Sequence, residues 1–210
     1  MSKIIPAILT KDVADLENKL AKIQGLTDWV QIDIMDGKFV DNTSIALEDI
    51  SGVEIAKDFS LEAHLMVHNP ASYFSACQRA GIKRVVFHIE AGDTENTLSK
   101  AREFGFQTGL ALNPETPIQE IMPYMDAVDV AVLMSVNPGL QGQEFIPGTL
   151  QKISELKKIA PQLTIEIDGG INLDNIKMVS DAGADYLVAG SGLFKNDDIK
   201  RCFKELEASV

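Results

Sequence analysis

The sequence predicts an α/β chain folded as a (β/α)8 barrel, and three observations carry that expectation. Short β-rich runs alternate with longer amphipathic or charged runs through about eight cycles. The connections are mostly short, without a Ser/Gly linker or low-complexity tract, so residues 1–210 are expected to form one domain. No G-x-G-x-x-G follows the first strand, where Ile8-Leu9-Thr10-Lys11-Asp12 runs straight into a helix; this argues against an open doubly wound sheet.

Taken in order, the strands are expected at 4–9, 29–35, 60–67, 84–90, 107–112, 129–136, 164–169 and 185–190. Helices are expected at 11–24, 70–80, 94–104, 149–159, 172–182 and 197–208. Asp93 or Thr94 and Asn172 suit N-caps, because a short side-chain oxygen can accept from a free first-turn amide. Gly25, Gly81, Gly105 and Gly183 stand where helices should stop.

Composition excludes several classes. Net charge is −12, from 19 basic and 31 acidic residues with no run of Lys or Arg, which argues against a nucleic-acid or acidic-membrane surface. No stretch approaches the roughly 18 consecutive apolar residues of a membrane span, and the first residues lack a basic region followed by an apolar core. A cytoplasmic protein with no membrane partner is therefore expected. Cys77 and Cys202 are too few and too far apart for a disulfide framework and read as free thiols.

In a barrel all eight strands deliver their carboxyl ends to one mouth, so residues there can be assembled into a single site. The run Thr164-Ile165-Glu166-Ile167-Asp168-Gly169-Gly170 reads as a buried strand that carries a carboxylate to a main-chain-lined anion pocket. Gln31, Asp33 and Met35 share one face of the second strand by the period-2 rule, as His64 and Met66 share one face of the third. A polar group inside an apolar strand is costly to bury alone, so Asp33, His64 and Asp168 are expected to meet. Two acids across a pocket can divide proton work, one taking a proton from carbon and the other returning one to the opposite face. Taken singly, either acid also fits a structural carboxylate capping a βα turn, and His64 fits a core imidazole equally well. His88 leans toward a structural role. Met35, Met66 and Met134 read singly as core filler and jointly as a shield around a charged intermediate.

The stretches PAILTKDVADL, IDIMDGKFV, EAHLMVHNP, ALNPETP, LMSVNPGLQGQEFIP, IEIDGG and VAGSGLF, in order over residues 5–194, resemble the signatures of the ribulose-phosphate 3-epimerase family. The resemblance implies a TIM barrel of the ribulose-phosphate-binding type. It also implies interconversion of ribulose 5-phosphate and xylulose 5-phosphate, by proton exchange at carbon 3 through an enediolate. Asp33 and Asp168 match the family's two acids, and with His64 they match three of four ligands to a catalytic divalent cation of the Zn, Fe, Mn or Co type. Gly139 and Gly142 match a loop that closes over substrate, while Gly169, Gly170, Gly190 and Ser191 match its phosphate cradle. Glycines there allow close approach of main-chain N–H groups to an anion. Family relatives self-associate, which implies a homo-oligomer.

The departures are specific. Gln31 stands where the family has its fourth metal ligand, a histidine, and an amide oxygen is a weaker ligand than imidazole for zinc-like ions. Its amide can alternatively donate to the enediolate oxygen. Thr10 replaces a substrate-touching serine; Gln141 and Ala46 replace glycines. Two alternatives stay open: a 3-epimerase of a six-carbon ketose phosphate such as allulose 6-phosphate, and a phosphosugar-binding relative with impaired turnover. Related barrels that decarboxylate or condense sugar phosphates carry Asp-x-Lys-x-x-Asp, whereas Asp33-Ile34-Met35-Asp36 offers no lysine.

Overall fold

The computed structural model describes residues 2–210. Its strands are β1 (Lys3–Ile8), β2 (Trp29–Met35), β3 (Ser60–Met66), β4 (Ile82–His88), β5 (Gln107–Leu112), β6 (Val130–Met134), β7 (Thr164–Asp168) and β8 (Tyr186–Ala189). Every neighbour pair is parallel, and β8 pairs with β1, so the sheet closes as a (β/α)8 barrel in sequence order.

The outer shell holds α1 (Val13–Ile23), α2 (Leu47–Ile50), α3 (Phe74–Arg79), α4 (Thr94–Glu103), α5 (Thr149–Ile159), α6 (Ile176–Asp181), α7 (Ser191–Phe194) and α8 (Ile199–Ala208). The entries to α1 and α8 follow from capping: Asp12 accepts from the Asp15 amide and Asp198 from the Arg201 amide. Apolar residues such as Leu16, Leu20 and Ile23 then turn one face of α1 onto the barrel. No helix among the described residues is long and apolar enough to cross a membrane.

Several boundaries differ from the sequence expectation. The segment 70–80 divides into a 3-10 turn, Pro70–Tyr73, and the short α3. The helix expected from 172 starts at Ile176, because Asn172 opens a turn in which its own amide donates to Asn175 Oδ1. Asp93 precedes α4 in a left-handed conformation (φ 49°) and makes no side-chain cap. Strand β4 begins two residues earlier than expected and ends at His88, where a 3-10 turn takes over at Ile89–Ala91. Between β5 and β6, where the sequence placed no helix, the chain uses two 3-10 turns, Ile118–Glu120 and Met122–Ala127.

Alternation along each strand creates two cores. Outward residues such as Ile32, Leu65, Phe87, Leu133 and Ile167 pack under the helices. Inward residues Ile5, Ala7, Val86, Ala111, Val132 and Val188 fill the barrel. Space inside is tight, since a Cβ on Gly109 would lie 2.7 Å from Val86 Cγ2. The inner wall also carries a buried ion cluster. Arg84 Nε donates to Glu62 and its terminal nitrogen to Glu166 at 2.9 Å, with the guanidinium 4.6 Å from the Trp29 ring and 5.1 Å from that of Tyr186. Cys77 and Cys202 are both buried free thiols, and burial pushes Cys77 up to about 12.

Candidate active site

The carboxyl ends of β2, β3 and β7 bring the expected trio together. Asp33 and His64 are direct partners in the β2–β3 register, and Asp168 ends β7 beside Met134 of β6. His64 Nδ1 lies 3.0 Å from Asp168 Oδ2 and 3.5 Å from Asp33 Oδ1. Beneath them Gln31, only 1% exposed, donates through the same Nε2 to Asp33 Oδ1 and to Asp168 Oδ2, each at 2.8 Å. One amide nitrogen therefore spaces the two acids.

The far end of β7 is pinned from β6. The Ser135 amide donates to Asp168 O at 2.7 Å, and its hydroxyl donates to Gly169 O at 2.6 Å. Gly169 (φ 119°) and Gly170 (φ 67°) have no room for side chains: a Cβ would meet Val136 Cγ2 at 2.4 Å and the Phe145 amide nitrogen at 2.7 Å. Gly190 precedes Ser191, the first residue of α7, and the first amides of a helix have no acceptor within it.

Most of these residues line one cavity at the carboxyl mouth of the barrel. Asp33, His64, Asp168, Met35, Met66 and Met134 form its inner wall, and Gly139, Gly142, Gly169, Gly170, Gly190 and Ser191 border it toward the loops. Gln31 and Thr10 are not among the lining residues. Gln31 lies behind the acids, and Thr10 turns its hydroxyl to the main chain of Asp12.

The electrostatics follow from burial against pairing. Burial raises Asp33, assisted by the Asp168 charge, and outweighs the lowering effect of His64 and Gln31. Burial pulls His64 down, but hydrogen bonds to Asp168 and then Asp33, with their charge, win and push it up to about 10. Burial pulls His88 down and keeps it neutral.

Three donor groups, from Asp33, His64 and Asp168, lie within 4.8 Å of one another, a set that fits a divalent cation. Gln31 Oε1 is buried without a hydrogen-bond partner. As placed, the amide offers N–H to the carboxylates; turned over, it offers a neutral oxygen to an ion seated between them.

The sequence reading did not find the contacts that hold the rim. Asn42 Nδ2 donates to Gly139 O at 2.9 Å, tying the loop after β6 to the loop after β2, and Leu140 at that loop's tip is 66% exposed. The Gln141 side-chain nitrogen stands 3.4 Å from where a Cβ on Gly190 would be, over the glycine border. No periodic pattern announces such loop contacts.

Asp36 joins the same rim. Its carboxylate accepts from the amides of Lys38 and His68 at 2.8 Å and of Phe39 at 3.0 Å. Burial pushes it up, but these donors, His68 first, hold it below the ordinary carboxylate range. Asp36→Ala is expected to cost about 1–3 kcal/mol in urea unfolding at neutral pH. A depressed folded pKa contributes stability above the unfolded value and loses it as pH falls through the folded one, so the difference between the proteins should shrink in acid.

Fold and site define a (β/α)8-barrel protein with an acid–imidazole cluster at its carboxyl mouth. The family model described as the ribulose-phosphate 3 epimerase family matches residues 3–194. Among curated relatives, the ribulose-phosphate 3-epimerase of Bacillus subtilis is 38% identical, covering 100% of both chains. That of Schizosaccharomyces pombe is 34% identical, covering 100% of this chain and 94% of its own. Among solved structures, 3-hexulose-6-phosphate synthase from Salmonella typhimurium superposes with a TM-score of 0.78 at 14% identity, covering 99% of this chain and 97% of that one, a likeness of fold. The chain belongs to the ribulose-phosphate 3-epimerase family.

Proposed function

We propose that this chain inverts carbon 3 of a ketose phosphate, with ribulose 5-phosphate and xylulose 5-phosphate as the favoured pair. The observation that carries the reading is the pair of carboxylates from β2 and β7, spaced by one amide nitrogen at the floor of a single cavity. The names of the full-length relatives support it, and a neighbour of the same fold is itself named for a hexulose phosphate.

In this reading one acid removes the carbon-3 proton from one face, and the resulting enediolate accepts a proton from the other acid on the opposite face. Burial raises the carboxyl of Asp33, which favours its protonated form relative to an exposed acid. Where no cation is bound, His64 Nδ1–H, beside both carboxylates, donates toward the developing oxyanion and stabilises it. Met35, Met66 and Met134 exclude water from the intermediate. Gly169, Gly170, Gly190 and Ser191 receive the phosphate through main-chain amides, with no cationic side chain required. Asp33, His64 and Asp168 would hold a divalent cation of the Zn, Fe, Mn or Co type, which supplies Lewis-acid polarisation of the carbonyl when bound.

Measuring carbon-3 inversion with ribulose 5-phosphate and with allulose 6-phosphate tests the substrate. Turnover of the five-carbon sugar supports the reading; preference for the six-carbon sugar moves it to that substrate. Tight binding without exchange of the carbon-3 hydrogen would leave only a phosphosugar-binding role. For the cation, Gln31→His is expected to raise affinity by at least about 10–100-fold, the range lost when even an outer partner of a ligand is removed. Competition with a chelator measures it.

A further inference from the structure

The ring nitrogen of His64 that faces away from the acids is already engaged. His64 Nε2 lies 2.9 Å from His88 Nε2, with the rings 17° from parallel. Two imidazole nitrogens at that distance share one hydrogen, so one donates and the other presents a lone pair.

The choice is made one residue further out. His88 Nδ1 is buried and faces Glu90 Oε2 at 3.4 Å, a contact within ion-pair reach that falls outside hydrogen-bond geometry, and it has no other partner among the described residues. A carboxylate only accepts, and a lone pair turned toward it would be repelled, so the hydrogen of neutral His88 belongs on Nδ1. Nε2 of His88 is then the acceptor and His64 the donor. Glu90 is held from the other side: its Oε1 accepts from the Asn113 amide at 2.8 Å and from the Thr116 hydroxyl. Phe39 covers His88, with ring centroids 4.9 Å apart.

We propose that Glu90 and His88 are positioning residues that fix a hydrogen on Nε2 of His64, so that Nδ1 is the nitrogen that donates to the acid pair and whose hydrogen is given up to any cation seated there. The proposal rests on the reading of His64 as a site residue. Neither positioning residue touches the reacting atoms; each acts through the next ring.

Glu90→Gln tests it by reversing the chain. The Asn113 amide demands an acceptor, so the amide oxygen of the new side chain stays there and its NH2 turns toward His88 Nδ1. His88 must then carry its hydrogen on Nε2, and His64 must accept through Nε2 and keep its hydrogen on Nδ1. Nitrogen-15 spectra of the imidazoles in the metal-free protein read this directly, because the chain has only three histidines. The expected result is His88 protonated on Nδ1 in the wild type and on Nε2 in Glu90→Gln. Affinity for Mn²⁺ should fall by about 10–100-fold in that variant, as for other lost partners of metal-binding histidines. Glu90→Ala removes the acceptor without supplying a donor, so it should weaken Mn²⁺ binding less than Glu90→Gln does. A wild-type His88 with its hydrogen on Nε2, or a Glu90→Gln protein with an unchanged tautomer, overturns the proposal, as does equal loss of Mn²⁺ affinity in both variants. The wild-type spectrum decides even where a variant fails to fold. Failure of the epimerase assay, with the tautomers as expected, would remove the reaction and leave the positioning intact.

Discussion

Asp33→Asn and Asp168→Asn are each expected to lower kcat for carbon-3 inversion by about 10²–10⁴-fold, the contribution of a positioned acid or base. That corresponds to about 3–5 kcal/mol of barrier. Asparagine keeps the shape of the side chain and an oxygen that can still accept from Gln31 Nε2, so the floor of the site should persist. Both proteins should melt within a few degrees of the wild type. The two losses should differ in kind. With one acid gone, the other can still take a proton from the epimer whose hydrogen it faces and return deuterium to the same face. In deuterated water one variant should therefore label only one epimer, and the other variant only the opposite epimer, each without inversion. Mass spectrometry of the recovered sugar measures it. Full inversion in either variant, or labelling of the same epimer by both, would sink the two-acid mechanism.

Asp33, His64 and Asp168 were legible because each interrupts an otherwise apolar strand, and the period of two sets their direction. The β2–β3 register then makes Asp33 and His64 neighbours. Thr10 was less legible: it stands at the right strand end, yet its side chain is claimed by the Asp12 main chain, a local competition that spacing does not report. Asn172 has the residue type of a cap, but Asn175 captures its amide and the helix starts later. Gln31 was legible as a departure from a family pattern, but not its hold on two carboxylates, one of them 137 residues away in sequence. Arg84 was least legible, since a basic residue near the start of a strand reads as exposed and its partners lie 22 and 82 residues away.

Arg84 therefore gives the largest expected effect on stability. It is 2% exposed, and its guanidinium is the cation that faces the buried carboxylates of Glu62 and Glu166. Arg84→Met keeps most of the volume and deletes the charge, so loss of packing contributes little to the outcome. Breaking a buried ion cluster by removing one partner costs about 3–5 kcal/mol, because the remaining charge stays desolvated. For a chain of this length, that lowers the melting temperature by about 6–20 °C, readable by calorimetry. Glu166 responds differently. Burial, reinforced by the Glu62 charge, raises its carboxyl well above the ordinary range despite Arg84, which favours the protonated form at this position. Glu166→Gln copies that protonated form and should be tolerated within about 1 kcal/mol, a typical net hydrogen-bond contribution. Replacing all three by apolar residues of matching size should recover much of the loss from Arg84→Met, since the cluster's own desolvation cost disappears with it. If Arg84→Met were as stable as the wild type, the guanidinium would not be compensating buried charge. Glu166 and Asp168 share the inner face of β7, two residues apart, so the ionic floor and the catalytic mouth are successive layers of one strand.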